Sequence, residues 1–258
     1  MSALLETAGL TKRFGGVHAV DTLDLRVDVG EILGLIGPNG AGKSTVFSMI
    51  SGFLKPTSGT VTFDGRDITR MHAYGVARLG MSRVFQHSIS FRRMSALDNV
   101  LVGFHKRHET GLLGSVLRTR HARREEAVLR DEALELLDFM GLAAVKDETP
   151  ASLPHGHQRG LSVAVALAAD PKLLLLDEPV TGMNPSESAL MTKQILRIRE
   201  RGITIVIVEH DMKVVMGLCD RLVVLDYGAK ICEGPPDKVC VDSLVCEAYL
   251  GKGTFDAA

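Results

Sequence analysis

A chain of 258 residues, 45% of them apolar, is long enough to bury a large α/β core without disulfide or metal staples. Its 30 lysines and arginines against 31 acids leave a formal net charge of -1, so no global field draws it to DNA, RNA or an anionic membrane surface. The four cysteines, Cys219, Cys232, Cys240 and Cys246, sit at spacings that match no zinc pattern and are expected to be unpaired thiols of a reducing compartment.

The N-terminus lacks the basic region, apolar stretch and small-residue cleavage site of a secretory leader. The longest apolar stretches, 163–169 and 203–208, fall far short of the roughly 20 residues a spanning helix needs. A chain soluble by itself, reaching a membrane only through a partner, is therefore expected. Residues 4–10 read as a first strand, and 23–27 alternate as a half-buried strand does. Gly30 and Glu31 turn the chain into 32–36, a continuous apolar run suited to a buried strand. A glycine-rich segment follows at once, then a short helix over 45–51, a turn at 55–59 and a strand over 60–63 closed at Asp64-Gly65.

From about 95 to 168 no strand pattern stands out. A helical one over 123–140 sets Val128, Ala133, Leu134, Leu137 and Met140 mostly on one stripe, ending at Gly141. The basic run 118–124 reads as a solvated helix entry, or as a contact with lipid headgroups or a partner. Residues 173–176 and 204–208 form two more wholly apolar strands, with a helix predicted over 187–200 and stopped by Gly202. Such strands indicate a parallel sheet covered on both faces. Residues 222–226 and 230–233, joined through Tyr227-Gly228, read as a hairpin.

Residues 37–44 read Gly-Pro-Asn-Gly-Ala-Gly-Lys-Ser, a full phosphate-loop pattern with an apolar strand before it and a helix after it. Glycines at 40 and 42 let backbone N–H groups turn inward around phosphate oxygens, and the following helix adds free N–H groups and the positive end of its dipole. The run Gly37, Asn39, Gly40, Ala41, Gly42, Lys43, Ser44 and Thr45 is expected to bind nucleotide. Within it Lys43 reaches the β and γ phosphates, and the Ser44 hydroxyl offers a ligand for Mg2+. The glycine spacing of dinucleotide-binding folds is absent.

Asp177 and Glu178 emerge at the C-terminal end of the 173–176 strand, where two acids are costly unless they face a cation or solvent. Asp177 is expected to hold the metal, directly or through water, and Glu178 to act on the attacking water as general base or orienter. A plain helix cap after a core strand is the structural alternative. His210 follows the 204–208 strand and could donate to the γ-phosphate, although such a histidine can also be structural. Gln86, where the core gives way to the helical part, could touch the metal shell and swing with that part, or be an ordinary loop glutamine.

Together these residues resemble the ATP-binding cassette of ABC transporters, over nearly the whole chain. The resemblance implies an α/β fold: a P-loop NTPase (RecA-like) core with an antiparallel β subdomain and an inserted α-helical subdomain. A single cassette over 1–258 is then divided into core and β subdomain over 1–90 and 169–250, and a helical lobe over 91–168. It implies Mg2+-dependent hydrolysis of ATP, with Lys43, Gln86, Glu178 and His210 catalytic and Ser44, Gln86 and Asp177 at the metal. Phe14 matches the aromatic that stacks on adenine, and Val20, at the end of the same segment, is assigned to the nucleotide as well. Thr181-Gly182-Met183-Asn184-Pro185 matches the loop that crosses the interface between two cassettes.

The signature segment departs from the family's Leu-Ser-Gly-Gly-Gln. Here it reads Leu153-Pro154-His155-Gly156-His157, where Pro154 removes a hydroxyl and a backbone donor. Gly156 is kept, proline is tolerated in a first helical turn, and His155 or His157 could supply a replacement donor to the nucleotide. The segments 12–20 and 247–251 and the stretch near 111–126 are similar to the longer cassette type of branched-chain amino-acid importers. That similarity implies the motor of a bacterial importer, peripheral on the cytoplasmic face of the inner membrane. Its implied partners are a second cassette, identical or different and arranged head to tail, transmembrane permease subunits, and indirectly a periplasmic or extracellular solute-binding protein; no nucleic acid is implied. Related systems carry urea or other small solutes, and the altered signature leaves open a largely non-hydrolysing partner cassette.

Overall fold

The computed structural model describes residues 3–85, 91–104 and 120–250, without the side chains of 120–123 and 250. The basic run 118–124 and the stretch near 111–126 lie largely outside these residues. The chain divides into two compact units, one of Met1–Arg83, Lys172–Thr181 and Ile195–Ala258, the other of Val84–Pro171 and Gly182–Gln194.

The first unit contains two sheets. Strands β1 (Ala3–Phe14), β2 (Val17–Asp28), β4 (Ser58–Phe63) and β5 (Arg66–Asp67) form an antiparallel sheet in the order β2-β1-β4-β5. Strands β3 (Ile32–Ile36), β6 (Met81–Val84), β7 (Leu173–Asp177), β8 (Thr204–Val208), β9 (Arg221–Asp226) and β10 (Ala229–Gly234) form the other, in the order β10-β9-β3-β8-β7-β6. Parallel pairings join β7 to β8, β8 to β3 and β3 to β9, while β10 returns antiparallel on β9. Every residue of β3, β7 and β8 is buried, which is why their sequences are continuous apolar runs rather than alternating ones.

Helix α1 (Lys43–Ile50) follows β3 and buries Val46, Phe47, Met49 and Ile50. These share one core cluster with Leu33, Leu35, Leu173, Leu175, Val206 and Val208. Each such side chain contributes about 1.5–3 kcal/mol on leaving water. The sheet packs closely on its other side too: a Cβ on Gly34 would stand 2.5 Å from Leu222 Cδ2 and 2.9 Å from Cys219 Sγ. Tyr227 and Gly228 both have positive φ, 44° and 83°, as a two-residue hairpin turn requires. The Gly228 N–H donates to Ala41 O at 3.1 Å, so the hairpin tip props the glycine-rich loop.

The strands β1 and β2 run 12 residues each, longer than their apolar stretches predict. Their outer ends pair Arg13 with His18 and Phe14 with Val17, exposed residues that carry no apolar period. Strand β6 was not legible for a related reason. Its four residues are Met-Ser-Arg-Val, buried only at the two ends. Helices α2 (Ala73–Arg78), α7 (Met212–Leu218), α8 (Pro236–Val239) and α9 (Ser243–Leu250) are short; Asp211 caps α7 by accepting from the N–H groups of Lys213 and Val214, and Asp242 accepts from Leu244 N and Val245 N at the start of α9.

The second unit is built on α3 (Ala96–Gly103), α4 (Arg120–Phe139), α5 (His155–Ala168) and α6 (Pro185–Glu200) as far as Gln194. Ser95 caps α3, its Oγ accepting from Asp98 N at 3.0 Å. Helices α3 and α5 touch at Gly103, where a Cβ would lie 2.5 Å from Val165 O and 2.7 Å from Ala168 Cβ. Asn99, 1% exposed, accepts from Phe91 N at 2.7 Å and donates to Ser95 O at 2.8 Å, which satisfies its buried amide.

All four cysteines are free. Cys219 is buried beside β3, and burial pushes its thiol up from 9.0 to about 12. A thiol raised in this way contributes stability that is present below pH 9 and lost as the pH rises toward 12. At pH 8 iodoacetamide is expected to alkylate Cys219 at least ~10-fold more slowly in the folded chain than in urea. Equal labelling rates, read by mass spectrometry of the Cys219 peptide, would contradict the burial described.

Candidate functional site

Because β3, β8 and β7 are neighbours and parallel, their C-terminal ends lie side by side in the first unit, with Val208 paired to both Leu35 and Asp177. The glycine-rich loop leaves β3 there, Glu178 leaves β7, and Glu209 and His210 leave β8. Open α/β sheets bind their ligands at this edge.

Glycines 37, 40 and 42 have φ of 147°, 85° and 101°. A Cβ on Gly37 would stand 2.1 Å from Leu225 O, and one on Gly42 would stand 2.3 Å from Ala19 O. Gly40 has open space, so its requirement is conformational. Gly42 thus serves twice, leaving room for phosphate above and for the backbone of β2 directly beneath. Gly42 has no side chain with which to cap α1, and the first N–H to find a helical acceptor is that of Val46, on Gly42 O at 3.0 Å. The N–H groups of the first turn therefore point out of the helix start.

The Lys43 Nζ lies over the loop and donates to Gly37 O at 2.6 Å and Pro38 O at 2.9 Å, which engages two of its three donors. Burial holds its pKa below the ordinary lysine value, and Glu178 and Asp177 oppose that shift. Asn39, Gly40 and Ser44 are exposed, Thr45 is half-buried and Ala41 is buried. Val20, expected at the nucleotide, is fully buried and sits under Gly42. Its side chain supports the loop from below and presents nothing to a ligand. Phe14 offers an exposed ring near the tip of the β1–β2 hairpin, with Lys12 Nζ 5.2 Å from its centroid.

Asp177 is buried, and its Oδ2 accepts from Arg83 Nη2 at 2.9 Å. The Arg83 guanidinium also donates to Ser48 Oγ at 3.2 Å and lies 5.6 Å from the centroid of Phe47. Arg83 thus gives Asp177 a cationic partner from 94 residues away in the chain, which no local pattern around either residue announces. Glu178 has φ 49°, a left-handed conformation costing on the order of 1–3 kcal/mol for a non-glycine residue. Its N–H donates to Val208 O at 2.9 Å, Thr181 Oγ1 donates to its Oε2 at 3.3 Å, and His210 Nδ1 stands 4.0 Å from its Oε1. His210 is exposed. Glu209 was also missed, although it follows an apolar strand as the two recognised acids do.

The signature segment belongs to the second unit. Pro154 is the residue before α5, and the Gln158 N–H bonds Pro154 O at 3.0 Å. The N–H groups of His155, Gly156 and His157 thus open the helix with no side-chain cap. Proline stands just outside the first turn predicted for it, but the helix start is kept. His155 is exposed, His157 is half-buried, and a Cβ on Gly156 would approach Glu187 Oε1 to 3.0 Å. Asn184 caps α6: its Oδ1 accepts from the N–H groups of Ser186 and Glu187, and Glu187 Oε2 accepts from Asn184 N. Gln86 lies outside the described residues.

The sequence matches the ABC transporter family over residues 20–181. The chain belongs to that family. This cassette is 40% identical over 250 residues to the high-affinity branched-chain amino acid transport ATP-binding protein LivG of Salmonella typhimurium, covering 96% of the chain and 98% of LivG. It is 37% identical over 250 residues to the corresponding protein BraF of Pseudomonas aeruginosa, again covering 96% and 98%. The crystal structure of an ABC-transporter cassette in its ADP conformation is 31% identical and superposes with a TM-score of 0.85, over 98% of this chain and 100% of that one. The expected α/β, P-loop NTPase fold is thus the fold of this cassette, and family membership implies an ATPase. Among the described residues no helix is long and apolar enough to cross a membrane.

Proposed function

We propose that this cassette is the Mg2+-dependent, ATP-hydrolysing motor subunit of a bacterial ABC importer for branched-chain amino acids, held at the cytoplasmic face of the inner membrane by permease subunits. The observation that carries the chemistry is the meeting of Lys43, Glu178 and His210 at the ends of three adjacent parallel strands. The cargo follows from kinship with LivG and BraF, since the cassette's own site is built for a nucleotide. In this reading the first unit is the nucleotide-binding core with its β subdomain, and the second is the helical lobe.

The first-turn N–H groups of α1 and the free donor of Lys43 bind the triphosphate, and Phe14 stacks on the adenine. The Ser44 hydroxyl and the Asp177 carboxylate are hard oxygen donors of the kind Mg2+ accepts alongside phosphate oxygens and water. Asp177 uses Oδ2 on Arg83, and its other oxygen takes no hydrogen bond among the described residues, so the pair fits the ion; Gln86 would join them. Bound there, Mg2+ neutralises charge on the phosphate oxygens. Glu178 accepts the proton of the attacking water, and His210 donates to the terminal phosphate. Lys43 stabilises the charge that builds on the departing diphosphate oxygen.

His155, Gly156 and His157 would present their N–H groups to the phosphate held by a second cassette arranged head to tail, with 181–185 at the same interface. Hydrolysis removes that bridge, the pair reopens, and the helical lobes pass the movement to the permease. A solute-binding protein delivers the cargo from outside. One observation favours a second reading, a partner cassette that hydrolyses slowly: Pro154 can donate no N–H at the head of α5. Uptake by cells lacking this chain tests the cargo. Radiolabelled leucine uptake is expected to fall to background and return on complementation, with urea uptake unchanged; undiminished leucine uptake alongside lost urea uptake would reassign the importer.

A further inference from the structure

We infer that Glu209 is a positioning residue of the hydrolytic site, holding the Glu178 turn and the His210 backbone in one arrangement; this rests on Glu178 acting on the attacking water. Glu209 is 1% exposed, a costly place for an ionisable carboxylate. Burial pushes its pKa up, while two main-chain hydrogen bonds oppose that shift. Those bonds come from separate segments. Val180 N donates to Oε1 at 2.9 Å, and His210 N donates to Oε2 at 3.2 Å.

The two donors belong to the segments that carry the reacting groups. Val180 lies two residues beyond Glu178, inside a turn closed by Thr181 N on Glu178 O at 3.4 Å. Glu178 holds a left-handed backbone there, a conformation its own side chain does not favour and its surroundings must impose. The Glu178 N–H is fixed by Val208 O on one side of the turn, and the Val180 N–H by Glu209 on the other. The second oxygen of the same carboxylate fixes the N–H of His210, whose ring stands 4.0 Å from the Glu178 carboxylate. An apolar residue would satisfy neither N–H, and a side chain with one acceptor would satisfy one. A buried carboxylate is the group that accepts from both, and it thereby sets the separation between Glu178 and His210.

Three variants of the full chain in the assembled transporter test this. With Glu209→Ala, which removes both acceptors, kcat for phosphate release is expected to fall by at least ~30-fold, with KM for ATP within twofold of native. Glu209→Gln keeps the shape and one acceptor, and is expected to restore much of the loss, leaving a fall of three- to tenfold, also at unchanged KM. In the purified chain, hydrogen exchange at the Val180 and His210 amides is expected to rise in Glu209→Ala, with the 37–45 segment unchanged. A kcat within twofold of native in Glu209→Ala would overturn the inference. So would a fall in kcat matched by a rise in KM and by faster exchange throughout, the signature of general loosening. Should Glu209→Ala not fold, Glu209→Gln decides by the same criteria: reduced kcat at native KM supports positioning, and native kcat overturns it. Glu178→Gln is run alongside. If it retains the native rate, the role of Glu178 fails and the inference with it; if it is inactive while Glu209→Ala is native-like, only the inference fails.

Discussion

Glu178→Gln is expected to lower steady-state phosphate release by the assembled transporter by roughly 10²–10⁴-fold, the usual contribution of a positioned general base. The amide has nearly the volume of the acid, can still accept from Thr181 Oγ1 at 3.3 Å, and leaves the strained turn as it is. It cannot take up the proton of a water. ATP binding is expected to be kept or strengthened, because the substitution removes one negative charge from the side of the site where Lys43 meets the triphosphate. Phosphate release and filter-bound nucleotide measured on the same preparation separate the two effects. A release rate equal to native would remove Glu178 from the chemistry. The comparison also bears on Pro154: a native rate already at the level of Glu178→Gln would favour the slow partner cassette.

Lys43→Ala acts on binding as well as on the chemical step. A hydrogen bond to a charged group is worth about 1.5–3 kcal/mol, so losing the ammonium's contact with phosphate should weaken ATP by roughly 10- to 150-fold. The fold itself should lose little. The two carbonyls that accept from Nζ, those of Gly37 and Pro38, belong to a loop whose course is fixed mainly by the contacts under Gly37 and Gly42. Uptake of leucine and phosphate release should both follow the loss of binding.

Much of the core and the glycine-rich loop of the candidate site could be read from the residues because each rests on a local pattern. Residues 32–36 and 204–208 are buried throughout and appear as unbroken apolar runs; the loop at 37–44 needs its glycines for backbone reasons that a single sequence displays. What escaped depends on long-range pairing. Strand β6 has no alternation, and its Arg83 is partnered with an aspartate 94 residues away, so nothing near Arg83 announces a buried ion pair. Val20 was assigned to the ligand by its neighbourhood in sequence, whereas the register of the β1–β2 hairpin turns it beneath the loop. Glu209 was readable in principle. Like Asp177, it is an acid at the end of an apolar strand that must find partners, but its partners are main-chain N–H groups, which composition does not reveal.

The central claim is that the amides and lysine of the 37–45 loop hold the phosphates of ATP. Calorimetric titration of the purified chain with ATP in the presence of Mg2+, native beside Lys43→Ala, tests it most directly. Saturable binding by the native chain, weakened at least ~10-fold by the substitution, is the predicted result. No heat of binding from the native chain at millimolar ATP, or two superimposable isotherms, would contradict it.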